Sequence, residues 1–313
     1  MPLKIRMSNG VDVPFIGLGT GGKPTDEEEL EEALRTALTL GYRHIDTAHS
    51  YGTEKVIGKV LQDFFNEGKI TREQIFVTTK LACTAHRFED VQHCLRSQLA
   101  DLQLGYVDLY LVHSPCAMQA VPKSEGETKL EPLNIDICET WRGMEAVFNQ
   151  GLTRSIGVSN FNVEQIQQVY STAKVKPHNL QIEIHLHWPQ KELITLCNAL
   201  HITVTAYAPL GCPGKKKESH WPDVLPLDEP ILQVLSEKYH RTPAQILLRH
   251  LTQRNIIVIP KSTNGKRLKE NLESTDFFLA DEDIEKLNHI PSKCRLYRWR
   301  ERTSHPRYPF TDD

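Results

Sequence analysis

The sequence GYRHIDTAHSYG at residues 41–52 carries the pattern on which the fold assignment depends. A short apolar run at residues 42–45 leads directly into Asp46, and Tyr51 follows five residues later. In a (β/α)₈ barrel the residues that follow the strands lie on the face that carries the active site, and Tyr51 is close enough to Asp46 to share that rim. The same arrangement of an apolar run before a charged side chain recurs further along the chain.

Two later apolar runs end in the same way. Residues 76–79 lead into Lys80, and residues 109–112 lead into His113. The intervals from Asp46 to Lys80 and from Lys80 to His113 are 34 and 33 residues. Each interval fits one strand, one helix and their loops, and in a (β/α)₈ barrel the residues that follow the strands converge on one face. The spacing therefore predicts that these distant side chains are neighbours.

Short β-rich runs alternate with helical patterns along the whole chain. The first helix is predicted to begin at an N-cap, Thr25, and three other helical stretches are predicted at residues 163–173, 191–200 and 230–239. This alternation predicts a single-domain (β/α)₈ TIM barrel over residues 1–313, with long loops at its C-terminal face. The eight predicted strands are residues 15–18, 42–45, 75–79, 107–112, 154–158, 180–184, 202–206 and 256–259.

Composition excludes several classes of function. The net charge of −3 and pI of about 6.5 argue against a broad surface for nucleic acid or anionic membrane. Seven scattered cysteines without paired spacing argue against disulfides and zinc, and nothing suggests another metal. No signal-like N-terminus or apolar run of about twenty residues is present, so we expect a cytoplasmic protein.

The residues at the ends of the predicted strands form a chemically coherent set. Occasional polar loop residues would be expected at such positions in any barrel, but not at all eight strand ends. The set comprises Gly19 and Thr20, Asp46, Lys80, His113, Ser159 and Asn160, Gln181 with Glu183, Tyr207, and Lys261 with Ser262.

These residues lie in motifs that resemble those of the aldo-keto reductases, and the resemblance covers roughly residues 8–310. It rests on the 41–52 stretch and on five later motifs in the same order, which are TTKL at 78–81, DLYLVHSP at 108–115, GVSNF at 157–161, IPKST at 259–263 and RLKEN at 267–271. The resemblance implies reduction of an aldehyde or ketone to an alcohol with NADPH. It also implies a monomer whose partner is a small carbonyl compound.

The catalytic residues implied by the resemblance also make chemical sense. Negative charge grows on the carbonyl oxygen as hydride arrives, so a proton donor is needed, and Tyr51 is the candidate. Lys80 would stabilise the phenolate of Tyr51, Asp46 would hold Lys80, and His113 would orient the carbonyl oxygen. Each of these residues taken alone has an ordinary interpretation as a packed aromatic, an ion pair or a buried histidine.

The resemblance assigns a cofactor site as well. Ser159, Asn160 and Gln181 match positions that bind the nicotinamide carboxamide, and Tyr207 matches the aromatic residue stacked on the ring. The residues that match the site of the adenosine 2′-phosphate are Lys261, Ser262, Thr263, Arg267 and Asn271, with Glu270 beside the adenine, although Lys266, Arg267 and Lys269 also fit a solvated helix face. The remaining predicted cofactor residues are Gly19, Thr20, Asp46 and Leu210.

The predicted substrate pocket departs from the family pattern. Many relatives carry tryptophan at three positions that hold Gly21, Ala82 and Ser114 here. The loss predicts a wider, more polar pocket, to which His113 and Trp299 also belong. The alternative is that loop aromatics, namely Trp221, Tyr297 or Trp299, refill the space.

Three long segments interrupt the barrel pattern, at residues 116–137, 211–229 and 293–313. The last is predicted to form a loop over the substrate pocket, and its arginines fit either an anionic substrate group or surface charge. After Tyr207, relatives carry a serine and an aspartate that strap the pyrophosphate, whereas this chain has Ala208, Cys212 and Gly214. This departure predicts looser cofactor retention, unless the lysines at residues 215–217 supply the charge instead.

Two other classes of protein remain as alternatives. Tyr51-x-x-x-Lys55 imitates the catalytic pair of short-chain dehydrogenases, and Gly17-x-Gly19-x-Gly21 imitates a dinucleotide-binding loop. The other alternative is a structural or regulatory protein that binds NADPH on the same fold with little turnover. The sequence leaves the substrate open among aldehydes, sugars and ketosteroids.

Overall fold

A computed structural model describes residues 3–22, 26–123, 128–213 and 220–310. Within those residues the strands are β1 (Lys4–Arg6), β2 (Asp12–Pro14), β3 (Leu18–Gly19), β4 (His44–Asp46), β5 (Phe76–Leu81), β6 (Leu109–Val112), β7 (Met118–Pro122), β8 (Thr128–Pro132), β9 (Ile156–Ser159), β10 (Asn179–Glu183), β11 (Thr203–Tyr207) and β12 (Ile256–Val258). The helices there are α1 (Glu27–Leu40), α2 (Glu54–Asn66), α3 (Phe88–Leu102), α4 (Ile137–Asn149), α5 (Val163–Thr172), α6 (Lys191–Ala199), α7 (Pro230–Tyr239), α8 (Pro243–Thr252), α9 (Gly265–Leu272) and α10 (Asp281–Asn288).

Eight of these strands form one parallel sheet in the order β3, β4, β5, β6, β9, β10, β11 and β12. The two ends of the sheet meet, because the Gly17 N–H donates to the Val258 carbonyl at 2.9 Å. The Val258 N–H in turn donates to the Phe15 carbonyl at 2.8 Å. The sheet therefore closes on itself, and the predicted (β/α)₈ barrel is confirmed.

Glycines in the first strand region allow this closure. A Cβ added to Gly19 would lie 2.6 Å from the Ile259 carbonyl oxygen, and one added to Gly17 would lie 2.7 Å from His44 Nδ1. Contacts this short are sterically forbidden, so only glycine permits the approach at both positions. Gly19 allows the approach to the closing strand, and Gly17 allows the contact with β4. In this parallel barrel the spaced glycines do not form the strand–turn–helix loop of a dinucleotide-binding fold, so that interpretation is wrong.

The helices have the apolar stripes and end signals expected of elements that cover a barrel. In α1 the buried side chains are Leu30, Ala33, Leu34, Ala37 and Leu38, spaced along one face. Asp26 is its N-cap, because its side chain accepts from the Glu28 N–H, whereas the predicted cap Thr25 lies outside the described residues. Gly41 ends the helix with φ of 108°, a conformation that favours glycine.

A small apolar cluster closes the end of the barrel where the strands begin. Val13 of β2 and Met7, which directly follows β1, pack there. Their partners are Phe76, Leu109, Leu111 and Ile257 from the barrel strands. The sequence did not predict this pair, nor β7 with β8, whose register joins Met118 to Pro132. The polar side chains at the ends of the strands lie at the opposite end of the barrel.

No helix in the described ranges is both long and apolar enough to cross a membrane. The seven cysteines all lie in those ranges, and no disulfide joins them.

Candidate active site

The four predicted catalytic residues meet at the C-terminal end of the barrel strands. Asp46 is the last residue of β4, Lys80 lies within β5, and His113 directly follows β6. Tyr51 ends a short 3₁₀ turn, His49–Tyr51, in the loop after β4. Lys80 was predicted to follow its strand, but β5 extends to Leu81, so the lysine is held by strand hydrogen bonding.

Lys80 is the centre of the hydrogen-bond network. Its ammonium donates to Asp46 Oδ1 at 2.5 Å, to the Thr47 carbonyl at 2.9 Å and to Tyr51 Oη at 3.4 Å. The Lys80 and Asp46 side chains are 0% and 2% exposed. The His113 ring lies edge-on to the Tyr51 ring, with centroids 5.6 Å apart. A buried pair of charges thus stands beside a phenol and an imidazole.

Burial controls the protonation of this group. Desolvation raises the pKa of Tyr51 above its ordinary value of 10.0, and the Lys80 charge acts in the opposite direction without overcoming it. Desolvation also holds the pKa of His113 well below 6.5, assisted by the charges of Lys80 and Arg302. At neutral pH Tyr51 is therefore a protonated phenol and His113 a neutral imidazole, each able to donate a hydrogen bond.

A cavity of about 1570 Å³ opens above this group. Its walls contain Asp46, Tyr51 and His113 and most of the predicted cofactor residues, which are Gly19, Ser159, Asn160, Gln181, Tyr207, Leu210, Lys261, Ser262, Thr263, Arg267, Glu270 and Asn271. Thr20 is buried behind the wall, where its hydroxyl donates to the Asp46 carbonyl at 3.0 Å. Ala82, predicted for the substrate pocket, is also buried and does not line the cavity.

The polar side chains near Tyr207 are tied to one another. Gln181 Nε2 donates to Asp46 Oδ2 at 2.7 Å, so that Asp46 holds Lys80 with one oxygen and Gln181 with the other. Asn160 Nδ2 donates to the His113 carbonyl at 3.0 Å, and Asn160 Oδ1 accepts from Tyr207 Oη at 2.8 Å. Asn160 has φ of 61°, a left-handed conformation that asparagine tolerates and that often marks functional sites.

Cationic and hydroxyl groups gather at the other end of the cavity, beside the N-terminus of α9. Asn264 caps that helix by accepting from the Arg267 N–H at 3.0 Å, and Lys261 and Arg267 line the wall. Burial lowers the pKa of Lys261. The Lys266 and Lys269 side chains are 85% and 63% exposed and do not line the cavity, whereas Arg267, although also exposed, borders it. A helix N-terminus with two cations suits a phosphate group.

The predicted widening of the substrate pocket is offset by the C-terminal segment. Tyr297 and Trp299 line the cavity, while Trp221 does not and packs in a buried cluster against which Tyr297 also packs. Gly21 lies directly against the Tyr51 ring, and Ser114 Oγ accepts from Arg302 Nη1 at 3.2 Å. The tail therefore supplies both aromatic surface and positive charge to the cavity wall.

Several residues of the wall were missed or only partly predicted. Arg302 was not assigned to the pocket, and Tyr297 was named only as one of three aromatics that could refill it, although the mixture of arginines and aromatics in the tail was the available signal. Cys83 also lines the wall and follows directly after the TTKL motif and Ala82. The departure at Gly214 and the lysines at residues 215–217 lie outside the described residues.

The short-chain dehydrogenase alternative fails on geometry. The Lys55 side chain is 81% exposed and approaches Asp101 at 4.0 Å, whereas the ammonium beside Tyr51 belongs to Lys80. Among the described residues, no cluster of three or more His, Cys, Asp or Glu side chains is placed to hold a metal ion.

Comparison with known proteins agrees with this site. A sequence model described as "Aldo/keto reductase family" matches residues 15–291. The chain belongs to the aldo/keto reductase family. It is 41% identical to aldo-keto reductase family 1 member A1 of Sus scrofa, over 98% of both chains. It is also 39% identical to estradiol 17 beta-dehydrogenase 5 of Mus musculus, over 99% of this chain and 98% of the other.

The fold of this reductase is also that of solved family structures. A crystal structure of a Bombyx mori aldo-keto reductase in complex with NADP superposes with a TM-score of 0.91. The two sequences are 37% identical, and the match covers 99% of each chain.

Proposed function

We propose that this aldo/keto reductase reduces an aldehyde or ketone to an alcohol with NADPH. The observation that carries the proposal is the contact chain from Asp46 through Lys80 to Tyr51 at the base of the large cavity. A protonated phenol and a neutral imidazole face the same space, so a carbonyl oxygen placed there would meet two hydrogen-bond donors.

The residues of the cavity fit NADPH. Lys261 and Arg267, with the hydroxyls of Ser262 and Thr263, would hold the 2′-phosphate at the N-terminus of α9. Tyr207 would offer its ring to the nicotinamide, while Ser159, Asn160 and Gln181 would bind the carboxamide. Gln181 would act through its amide oxygen, because its nitrogen donates to Asp46. The cofactor, when bound, supplies hydride to the carbonyl carbon.

Proton transfer is the part of the reaction that belongs to this chain. Tyr51 would give its proton to the carbonyl oxygen as negative charge grows there, and Lys80 would stabilise the phenolate that remains. Asp46 keeps Lys80 in place and balances its charge, since an unpaired ammonium in this buried position would be costly. His113 would direct the oxygen toward Tyr51 by donating a second hydrogen bond.

The cavity walls favour one kind of carbonyl substrate. Tyr297 and Trp299 would pack on the apolar part of a carbonyl compound, and Arg302 would face a polar or anionic end. We therefore propose that the segment at residues 293–313 forms the substrate-facing wall of a single domain that spans 1–313. A cytosolic location and a monomeric state complete the proposal.

Replacement of the proton donor tests this function. Tyr51→Phe should lower kcat for aldehyde reduction by about 10² to 10⁴, the usual contribution of a general acid, with little change in the Kd for NADPH. NADPH oxidation would be followed at 340 nm and cofactor binding by protein fluorescence. Tyr170→Phe is the matched control, because Tyr170 packs against Lys176 away from the cavity. Full activity of Tyr51→Phe would exclude Tyr51 as the donor, and tight NADPH binding without any turnover by the wild type would favour the regulatory alternative.

A further inference from the structure

Glu183 is a buried carboxylate at the catalytic end of the barrel that the proposed reaction does not use. It is the last residue of β10 and is 0% exposed. Its oxygens accept hydrogen bonds from the Leu296 N–H at 2.6 Å, the Tyr297 N–H at 2.9 Å and His185 Nε2 at 3.0 Å. A carboxylate is stable in an interior only where donors replace its lost hydration. Two of these three donors belong to the C-terminal segment.

The network around Glu183 favours its ionised form. His185 Nδ1 accepts from the His187 N–H at 3.2 Å, so the imidazole proton lies on Nε2 and points at Glu183. Burial alone would raise the pKa of Glu183, but the accepted hydrogen bonds and the charge of Arg295 bring it below the ordinary value. Glu183 is therefore an anion at neutral pH, and charge-assisted hydrogen bonds of this kind are the strong ones.

A second contact holds the start of the tail but does not reach the cavity. The Lys293 N–H donates to the His187 carbonyl at 2.9 Å, and Lys293 Nζ donates to Glu229 Oε1 at 2.5 Å. Glu229 also pairs with His187 Nε2 at 2.6 Å. These contacts lie before Leu296, so the hydrogen bonds to Glu183 attach the tail to the barrel at the place where it enters the cavity wall.

The residues that follow this point are the ones that a substrate would meet. The Tyr297 ring lies edge-on to the Tyr207 ring, with centroids 5.7 Å apart, and its hydroxyl is 3.2 Å from Cys212 Sγ. Trp299 lines the cavity two residues later, with a left-handed φ of 45°. Their backbone leaves the two amides bound to Glu183 and is next attached to the barrel at Arg302, whose Nη1 donates to Ser114 Oγ at 3.2 Å, so that carboxylate holds one end of the segment that carries both rings.

We propose that Glu183 is a positioning residue that fixes the substrate-facing wall and thereby controls KM for bulky carbonyl compounds, without taking part in the chemical step. The inference rests on the proposed reductase function. In Glu183→Gln, an amide nitrogen would replace one of the two oxygens. This nitrogen is a hydrogen-bond donor, and it would face another donor, the N–H of His185, Leu296 or Tyr297. Only one acceptor atom would remain for three donors, so the tail would lose part of its attachment.

Glu145 provides a matched control for this substitution. It is also a buried carboxylate, 8% exposed, and accepts from two consecutive backbone N–H groups, those of Lys174 at 2.6 Å and Val175 at 2.8 Å. It lies on α4 and does not line the cavity. Glu145→Gln should therefore reproduce the loss of stability expected of Glu183→Gln without its effect on the substrate wall.

The experiment compares both variants with the wild type on a small and a bulky aldehyde, propanal and biphenyl-4-carbaldehyde. For Glu183→Gln we expect KM for the bulky aldehyde to rise by about tenfold or more, while KM for propanal, kcat on both aldehydes and the Kd for NADPH stay within about threefold. Glu145→Gln should leave the ratio of the two KM values unchanged. An unchanged ratio in Glu183→Gln, or an equal loss of kcat on both aldehydes, would overturn the proposal.

Amide hydrogen exchange separates this inference from the reductase function. In Glu183→Gln, the peptide that contains Leu296 and Tyr297 should exchange at least about tenfold faster than in the wild type or Glu145→Gln. Equal protection in all three proteins would show that Glu183 does not hold the tail. If the wild type oxidised no NADPH with either aldehyde, the reductase function would fail, and with it the assignment of Glu183 to a substrate wall, whatever the exchange result.

Discussion

Gly21→Ala should impair the proton donor through a single methyl group. A Cβ at this position would lie 2.8 Å from Tyr51 Cζ, 2.9 Å from Cε2 and 3.2 Å from the hydroxyl oxygen. The ring must move by at least about 0.6 Å to reach the 3.4 Å at which ordinary van der Waals contact begins. Since a misplacement of about 1 Å can cost about 10² in rate, we expect kcat to fall by about tenfold to 100-fold.

The assay is steady-state NADPH oxidation with a saturating aldehyde, combined with the Kd for NADPH and the thermal midpoint of unfolding. Gly21 does not adopt a left-handed φ, so alanine adds bulk without backbone strain. Gly105→Ala is the control, because a Cβ there meets nothing within 4 Å and its φ is also ordinary. A folded Gly21→Ala protein with wild-type kcat would refute the view that contact with Gly21 sets the position of Tyr51.

Three further predictions concern the cofactor, the pH profile and the substrate. Arg267→Ala should raise the Kd for NADPH by about tenfold or more and leave the Kd for NADH unchanged, because only NADPH carries the 2′-phosphate; the exposed Lys266→Ala should affect neither. The rate of reduction, kcat/KM, should be constant between about pH 7 and pH 9, because the pKa of Tyr51 is raised above 10.0 and that of His113 is well below 6.5. The value of kcat/KM should fall only at higher pH, where Tyr51 loses its proton. A decrease of kcat/KM between about pH 7 and pH 9 would contradict this assignment. Arg302→Ala should raise KM for 4-carboxybenzaldehyde by about tenfold relative to benzaldehyde, whereas an equal change for both aldehydes would show a purely steric role.

The barrel was predictable because its strands are buried on both faces. Continuous apolar runs such as residues 109–112 stand out in the sequence, and β6 occupies those four positions. The pairs β1 with β2 and β7 with β8 were missed because their signals are weak. The first has strands of three residues, and the second is largely exposed with no alternating apolar face. Helix α7 begins and ends where it was predicted, at a proline near N1 and at Tyr239.

The site was predictable where a residue type and a strand end coincide. Asp46, Lys80 and His113 meet because the barrel brings the ends of consecutive strands together. The contact between Gly21 and Tyr51 was not predictable, since it depends on a distance between two loops that no periodicity encodes. The balance that raises the pKa of Tyr51 was also beyond sequence reasoning, because the cost of burial depends on the packed structure.

Barrel closure has a consequence for the synthesis of this chain. The hydrogen bonds that join Gly17 to Val258 connect residues separated by most of the sequence, and Tyr42 Oη similarly donates to the Leu268 carbonyl at 3.0 Å. During synthesis on the ribosome, one side of the first strand has no partner until the last strand has emerged, because contacts of such long range form late. The strand that closes the barrel leads directly into Lys261 and α9. A nucleotide bound there would favour the closed form, so its supply should influence how much newly made chain reaches the folded state.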